Sequence, residues 1–324
     1  MGDLHSRLLR NEQRPLYRLL FSFLIVTGAG VSLFTIMFLA GRFIFYGSQG
    51  FLTNLSSGSE ITDASFMKYI LVSEQISFFI IPALIIMNIF SPQGKPRFSE
   101  LGRPSTNDIV LVIVLAICIF PVTSFTGELN SQMHFPQWLS GVEKWMTDKE
   151  ESADKIIDVI TSSGKLTSLF TNILIIAVLP AFGEELIFRG VLQKVLSGFF
   201  KSGHPAVWIT SFFFSAMHMQ FFGFLPRFIL GLIFGYLFLW SGTLWLPMLA
   251  HFINNAVSIG WDYFHNGDNT VDSADPALLK QIPGMIIPVL IMSLILCYFY
   301  MKNRRELQVE KDRGEVNESE RPGS

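Results

Sequence analysis

The sequence predicts an all-α, polytopic membrane protein with about eight transmembrane helices in a single membrane domain, residues 1–324. Three observations support this: half of the 324 residues are hydrophobic, only 15% are charged, and Phe alone supplies 32 positions. A soluble domain of this length usually carries about 25% charged residues. The composition therefore excludes a disordered chain and disfavours an ordinary soluble enzyme.

Long apolar runs define the helices in order, since a membrane span needs roughly 20 mostly apolar residues. The first run has no charge at all, and the fourth continues into a pair of glutamates. The predicted spans are 19–40, 69–90, 109–126, 166–191, 205–225, 228–240, 244–259 and 282–301. Residues 141–160 mix charged and apolar residues at helical spacing, which predicts a helix on the membrane surface or over the bundle. The polar residues 306–324 are expected to form a disordered cytoplasmic tail.

The distribution of charge predicts the orientation and excludes one class of partner. With these spans, 15 Lys and Arg residues lie on one side of the membrane and 8 on the other. The positive-inside rule then places both termini in the cytoplasm, and the short basic segments suit a bacterial inner membrane. The net charge of −2 predicts no nucleic-acid partner. The two cysteines, Cys118 and Cys297, lie in apolar runs and are expected to be buried hydrophobic residues.

The first unusual polar cluster is the sequence Glu184-Glu185-x-x-x-Arg189 at the end of the fourth span. Ionisable groups in a bilayer cost about 2.5–3.5 kcal/mol each, so they pair, face a cavity or take part in chemistry. Glu185 and Arg189 are four residues apart and share one helix face, which predicts an ion pair. Glu184 is rotated by about 100° and is left without that partner. A structural alternative is a salt-bridged helix end at the interface.

Two further spans carry polar groups, His218 in one and His251 with Asn255 in the other. His251 and Asn255 are four residues apart and share one helix face. The structural alternatives are a hydrogen-bonded packing histidine and ordinary interhelical hydrogen bonds. Glu74, in the second span, is expected either to satisfy a neighbouring helix or to line a substrate entrance.

The three clusters together favour hydrolysis of a membrane-associated protein or peptide. A carboxylate and a histidine can activate a water, and a His/Asn pair can donate hydrogen bonds to a developing oxyanion. Alternatively Glu184, His218 and His251 could hold a zinc ion that acidifies its bound water. A transporter or proton relay is the alternative from another class, although inverted repeats and Gly/Pro-broken paired spans, its usual signs, are missing from the sequence.

In this order, the motifs Glu184-Glu185-x-x-x-Arg189, Phe214-x-x-x-His218 and His251-x-x-x-Asn255 resemble those of the CPBP intramembrane proteases. This family comprises CAAX prenyl endopeptidases and bacteriocin-processing or immunity proteins, and is also called Abi. The resemblance covers about residues 166–262, the expected catalytic core. A non-catalytic immunity or scaffold role is a further alternative within the same family.

The resemblance implies a role for each motif residue. Glu184 would be the general base with His218 as its partner, and His251 and Asn255 would stabilise the oxyanion. Glu185 and Arg189 would support the site. The family is described as metalloproteases, yet its motifs lack the His-Glu-x-x-His of soluble zinc proteases, so a zinc site and a metal-free Glu/His mechanism both stay open. Asn255 is a poor zinc ligand but a good amide donor, which slightly favours the metal-free mechanism.

Overall fold

A computed structural model describes residues 15–57, 63–90, 101–133, 135–161, 165–264 and 278–319, and in these ranges the secondary structure is helical, without strands. The helices are α1 (Pro15–Gly47), α2 (Ala64–Ile89), α3 (Thr106–Ser131), α4 (Ser140–Thr161), α5 (Leu166–Ser197), α6 (His204–Ala216), α7 (Phe224–Ser241), α8 (Trp245–Phe264) and α9 (Leu278–Ser319). The prediction of an all-α, polytopic membrane bundle is confirmed.

Six helices in the described ranges are long and apolar enough to cross a membrane, whereas eight spans were predicted; the six are α1, α2, α3, α5, α7 and α9. Helix α8 has 20 residues, but His251, Asn254 and Asn255 make it too polar for this set. Helix α6 has 13 residues and is about 20 Å long, which is shorter than the hydrocarbon core of a bilayer.

The predicted fifth span, 205–225, is wrong at its C-terminal end, because α6 ends at Ala216. Met219 adopts a positive φ of 55°, a conformation that helical residues do not adopt. Side chains from distant helices bind the backbone of this turn, and Asn130 Oδ1 accepts a hydrogen bond from Leu225 N at 2.6 Å. Tertiary contacts thus interrupt an apolar run that its composition alone would continue.

Two predictions outside the spans have different outcomes. The predicted helix at 141–160 is confirmed as α4, which packs against α2 and α5. The predicted disorder from residue 306 is wrong as far as Ser319, since α9 continues to that residue. Glu, Lys, Arg and Gln are good helix formers, and they extend a helix that the apolar segment has already nucleated. Residues 320–324 and the acidic segment 265–277 lie outside the described residues.

The main core forms where α3, α7, α8 and α9 pack together. It consists of Val112, Leu115, Cys118, Ile119, Leu230, Ile233, Phe234, Leu237, Leu246, Ala250, Met292, Ile295 and Phe299. Cys118 is buried here as predicted, whereas Cys297 of α9 is exposed, because it lies on the face of that helix turned away from the bundle. An ion pair between Lys302 Nζ and Asp108 Oδ2, 2.6 Å apart, joins α9 to the start of α3. Helices α5 and α6 pack against this four-helix core through α7 and α8.

Helix α5 is joined to α7 through two glycines four residues apart. Arg189 Nη2 donates to the carbonyl of Gly231, and Gln193 Nε2 donates to that of Gly235, each at 3.0 Å. A Cβ atom at Gly231 would lie 2.9 Å from Cβ of Ser211 on α6. Only glycine at position 231 therefore allows α6 and α7 to pack this closely. The motif residues of α5, α6 and α8 are thereby gathered around α7.

Candidate active site

The two glutamates lie where the backbone of α5 changes its winding. An α-helical segment, Leu179–Glu185, passes into a π-helical turn, Leu186–Gln193. Such turns often occur at functional sites, because the wider winding redirects side chains. Both carboxyl groups are buried, with exposed fractions of 8% for Glu184 and 0% for Glu185. Two adjacent buried carboxylates require either compensating partners or a chemical role.

Glu185 has two partners, and both bind the same oxygen. Arg189 Nη1 donates to Glu185 Oε1 at 2.9 Å, which confirms the predicted ion pair. His251 Nδ1 lies 3.0 Å from the same oxygen and donates to it when Nδ1 carries the proton. Glu185 therefore compensates Arg189 and at the same time orients the imidazole of His251.

Glu184 Oε2 has no hydrogen-bond partner in the part of the chain that the structure describes. It lies 4.0 Å from His251 Nε2, the nitrogen that the contact with Glu185 leaves available. The ring of His251 stacks on Phe234, with centroids 5.1 Å apart, and meets the edge of Phe214 at 5.9 Å. The imidazole is thus held in one orientation with its second nitrogen towards Glu184.

His218 lies in the turn after α6, close enough to Glu184 and His251 for their charges to interact. Its Nδ1 is 2.8 Å from the carbonyl oxygen of Phe214. A carbonyl only accepts, so Nδ1 donates and Nε2 keeps the lone pair. Because α6 ends at Ala216, His218 lies in the following turn and not on the face of a continuing helix.

Asn255 makes helix-to-helix contacts rather than contacts with the glutamates. Its Nδ2 donates to the carbonyl of Ile176 on α5 at 3.4 Å, and its Oδ1 accepts from Asn254 Nδ2 at 3.3 Å. This agrees with the interhelical alternative raised by the sequence. An amide nitrogen carries two hydrogens, so one donor of Asn255 is not used by Ile176.

Several residues that shape the site were missed by the sequence analysis. Aromatic rings surround Arg189, whose guanidinium lies 4.6 Å from the centroid of Phe214 and 5.5 Å from that of Phe234. Arg227, near the start of α7, interacts electrostatically with Glu184 and with Glu150 of α4. Arg227 could have been identified from the sequence, because a charged residue at the edge of an apolar helix is unusual and often has a functional role. No local pattern identifies Glu150, which is 72 residues from its partner Phe222.

Glu150 anchors the turn that carries His218. Its Oε2 accepts a hydrogen bond from Phe222 N at 3.0 Å. Burial raises the pKa of the Glu150 carboxyl above its ordinary value, against the lowering effects of the Phe222 N–H and of the Arg227 charge. The carboxylate is therefore kept in a partly desolvated position by these two partners.

Replacement of Glu150 tests this anchor. Glu150→Ala leaves the Phe222 N–H without its acceptor, which we expect to lower the free energy of unfolding by about 1–3 kcal/mol. Glu150→Gln retains an acceptor oxygen and should lose less. Thermal unfolding of the purified protein in detergent measures both. Glu151→Ala, at an exposed position of the same helix, is the control. Equal losses for Glu150→Ala and Glu151→Ala would contradict the anchoring role.

The zinc ligands that the sequence suggests as candidates are Glu184, His218 and His251. Within the described residues, no group of three or more His, Cys, Asp or Glu side chains is placed to hold a metal ion. The 4.0 Å between Glu184 Oε2 and His251 Nε2 also exceeds the separation of about 3.3 Å that two ligands on a tetrahedral zinc ion require. The geometry fits a water between the two atoms better.

Comparison with known proteins agrees with the motifs. Residues 166–257 match the family described as type II CAAX prenyl endopeptidase Rce1-like. The uncharacterized protein YpbD of Bacillus subtilis (strain 168) is 36% identical over 90 residues, which is 26% of this chain and 43% of that relative. The chain thus matches less than half the length of this relative, and no solved structure matches it. The match over residues 166–257 confirms the resemblance of this segment to CAAX-type proteases, which the three motifs carry.

Proposed function

We propose that the protein is an intramembrane endopeptidase that hydrolyses a peptide bond of a membrane-associated or lipidated protein or peptide. The observation that carries the proposal is the difference between the two adjacent glutamates. Among the described residues, Oε2 of each glutamate lacks a hydrogen-bond partner, but Glu185 Oε1 is bound by both Arg189 and His251, whereas no side chain forms a hydrogen bond with the buried Glu184 carboxyl. A carboxylate held in this way is suited to take a proton from water.

Water would bind between Glu184 Oε2 and His251 Nε2. Two hydrogen bonds of about 2.8 Å reach any separation up to about 5.6 Å, so one water spans the observed 4.0 Å. Glu184 accepts a proton while the water oxygen forms a bond to the carbonyl carbon of the substrate. The proton then passes from Glu184 to the amide nitrogen as the C–N bond breaks, which restores the carboxylate.

Asn255 would donate a hydrogen bond to the oxyanion of the tetrahedral intermediate, while the free nitrogens of the two histidines would accept hydrogen bonds from the water. Pre-positioned hydrogen-bond donors at a developing oxyanion are usually a large part of catalysis. The family resemblance assigns this role to His251 and Asn255 and makes His218 the partner of Glu184. The proximity of both histidines to Glu184 supports a shared role at the water. The hydrogen of Asn255 Nδ2 that Ile176 does not use would be the donor to the oxyanion.

Membrane proteomics tests the activity while the substrate is still unidentified. Cells that produce the wild-type protein should contain new N-termini from membrane proteins that are missing in cells that produce Glu184→Gln. The two proteins should be present at equal levels. A set of N-termini that is the same in both cells would argue against a protease and would favour a non-catalytic or relay role.

We expect the activity to need no divalent metal, because one water spans Glu184 Oε2 and His251 Nε2 and no group of three or more His, Cys, Asp or Glu side chains in the described residues is placed to hold a metal ion. Purified, active protein should keep its rate after treatment with a chelator and should contain zinc well below one atom per chain by elemental analysis. Stoichiometric zinc that is lost with activity on chelation and restored with it on repletion would overturn this mechanism.

The surroundings of the site suggest where the substrate is met. We infer a bacterial inner membrane with both termini in the cytoplasm, supported by the excess of Lys and Arg on the side of the termini. In that orientation, the glutamates near the end of the apolar part of α5 lie towards the cytoplasmic leaflet. Labelling of the single variants Ser6→Cys and Ser319→Cys with a membrane-impermeant thiol reagent, applied from either side of the membrane, measures this orientation.

A further inference from the structure

A second carboxylate lies beside the proposed catalytic one. Glu74 is part of α2 and directly precedes a π-helical turn, Gln75–Ile80. Gly183 lets this turn approach α5 closely, because a Cβ atom at Gly183 would lie only 2.8 Å from Gln75 Oε1. Glu74 precedes Gln75 and Glu184 follows Gly183, so the close approach brings the two carboxyl groups near enough to interact electrostatically.

Glu74 differs from the other charged groups of the site in its lack of a counter-charge. No side-chain hydrogen bond or ion pair joins it to another described residue. Glu74 is also exposed at the surface of the helix bundle. Arg189 lies against Glu185, and Arg227 interacts with Glu150 and Glu184. A lone ionisable group within a transmembrane helix is costly and usually faces a functional cavity.

Such a cavity is present at this position. A space of about 390 Å³ lies between α1, α2 and α5, and Glu74 lines it together with almost entirely apolar side chains. Phe188 on α5 and Met217, the neighbour of His218, are also in its wall, so the cavity reaches the edge of the catalytic cluster. Ser22 of α1 lines it as well, and its buried hydroxyl has no hydrogen-bond partner among the described residues.

We propose that this cavity, lined by α1, α2 and α5 and called here the α1–α2–α5 cavity, binds an apolar segment of a membrane-inserted substrate, and that Glu74 binds a lysine or arginine side chain of that segment next to the scissile bond. The inference rests on the proposed peptidase function and adds the substrate class. Charge complementarity supports the proposal, since the described part of the chain supplies no cation to Glu74 and the residue with which it interacts, Glu184, is also an acid. An apolar segment of the substrate would contact the apolar side chains that line the cavity, and a basic side chain would form an ion pair with Glu74.

The location of Glu74 suits a residue that selects substrates. Helices α1 and α2 lie outside residues 166–257, the part of the chain that matches the protease family. The catalytic groups come from α5, α8 and the turn after α6, whereas two walls of the cavity come from the flanking helices α1 and α2. Glu74 would thus set the substrate preference without taking part in the hydrolysis.

The test uses synthetic transmembrane peptides of about 20 residues, built from Leu and Ala, in neutral phosphatidylcholine vesicles with the full-length protein. Each peptide carries a single Lys, Gln or Glu, moved one position at a time, and cleavage is measured by mass spectrometry. At the preferred position, the wild-type protein should cleave the Lys peptide about 10- to 100-fold faster in kcat/KM than the Gln peptide, as expected for a charge-assisted hydrogen bond.

Variants of Glu74 should change this preference and not the chemistry. Glu74→Gln should reduce the Lys-over-Gln ratio to near one, and Glu74→Lys should favour the Glu peptide. Glu151→Gln, an exposed carboxyl on α4, is the matched control and should keep the wild-type ratio. A Lys preference that survives Glu74→Gln would overturn the proposal, as would rates that never depend on the charge of the peptide, which is the result expected if the cavity holds only a lipid chain.

A binding measurement separates this proposal from the peptidase function. In the Glu184→Gln background, fluorescently labelled Lys peptide should bind more tightly than Gln peptide, and the added Glu74→Gln change should abolish the difference. Charge-selective binding without cleavage by the wild type would refute the peptidase function alone. Cleavage by the wild type with equal binding of both peptides would refute the role of Glu74 alone.

Discussion

Glu184→Gln is expected to lower kcat by about 100- to 10,000-fold, the range that a positioned general base contributes. The substitution keeps the shape of the side chain and removes the group that would accept a proton from water. Glu184 Oε2 makes no hydrogen bond to another described residue, so the fold should be unaffected. The rate is measured on the synthetic transmembrane peptides, with thermal unfolding in detergent as the measure of folding.

Glu185→Gln is the informative comparison because it changes the adjacent carboxylate. Glu185 Oε1 accepts hydrogen bonds from both Arg189 and His251, so its loss should lower both folded yield and activity. Glu184→Gln should lower the activity alone. Two variants with the same combined loss, or a Glu184→Gln protein with near wild-type kcat, would show that the two carboxylates do not have the separate roles proposed.

Arg189→Met should lower the free energy of unfolding by about 3–5 kcal/mol, the usual cost of breaking a buried ion pair. Arg189 and Glu185 are both fully buried, and the pair is 2.9 Å long. Met fills most of the volume but leaves the Glu185 charge without its guanidinium and the Gly231 carbonyl without its donor. A lower yield of monodisperse protein and a lower midpoint of thermal unfolding in detergent are the expected measurements.

A double variant distinguishes loss of the pair from loss of volume. Adding Glu185→Gln to Arg189→Met removes the unpaired charge, so part of the lost stability should return. Arg305→Met, at an exposed position of α9, is the control and should be neutral. If Arg189→Met were as stable as the wild-type protein, the ion pair would have no structural role.

Much of the site was predictable because its signals are local in the sequence. The spacing of Glu185 and Arg189 predicts their ion pair, and the structure confirms it at 2.9 Å. The presence of Glu184, His218 and His251 in apolar surroundings marks them as exceptional whatever their contacts are. These predictions need only helical periodicity and the cost of charge in a bilayer.

Other parts of the site depend on contacts between distant segments and could not be predicted. The anchoring of the His218 turn by Glu150, the closeness of Glu74 to Glu184, and the contact of Asn255 with Ile176 each join residues from separate helices. The sequence assigned Asn255 to the oxyanion by resemblance, whereas its described hydrogen bonds lie within the α5–α8 interface. No periodicity encodes such pairs.

The sequence by itself determined that the chain is a helical membrane bundle and that three polar motifs mark its site, because hydropathy and spacing act within single helices. The tertiary structure alone decided where α6 ends, which carboxylate is paired, and which histidine nitrogen approaches Glu184. It also decided that α9 continues beyond its apolar part to Ser319. The physical reason is that a hydrogen bond or ion pair between helices depends on their relative position, which packing sets after each helix has formed.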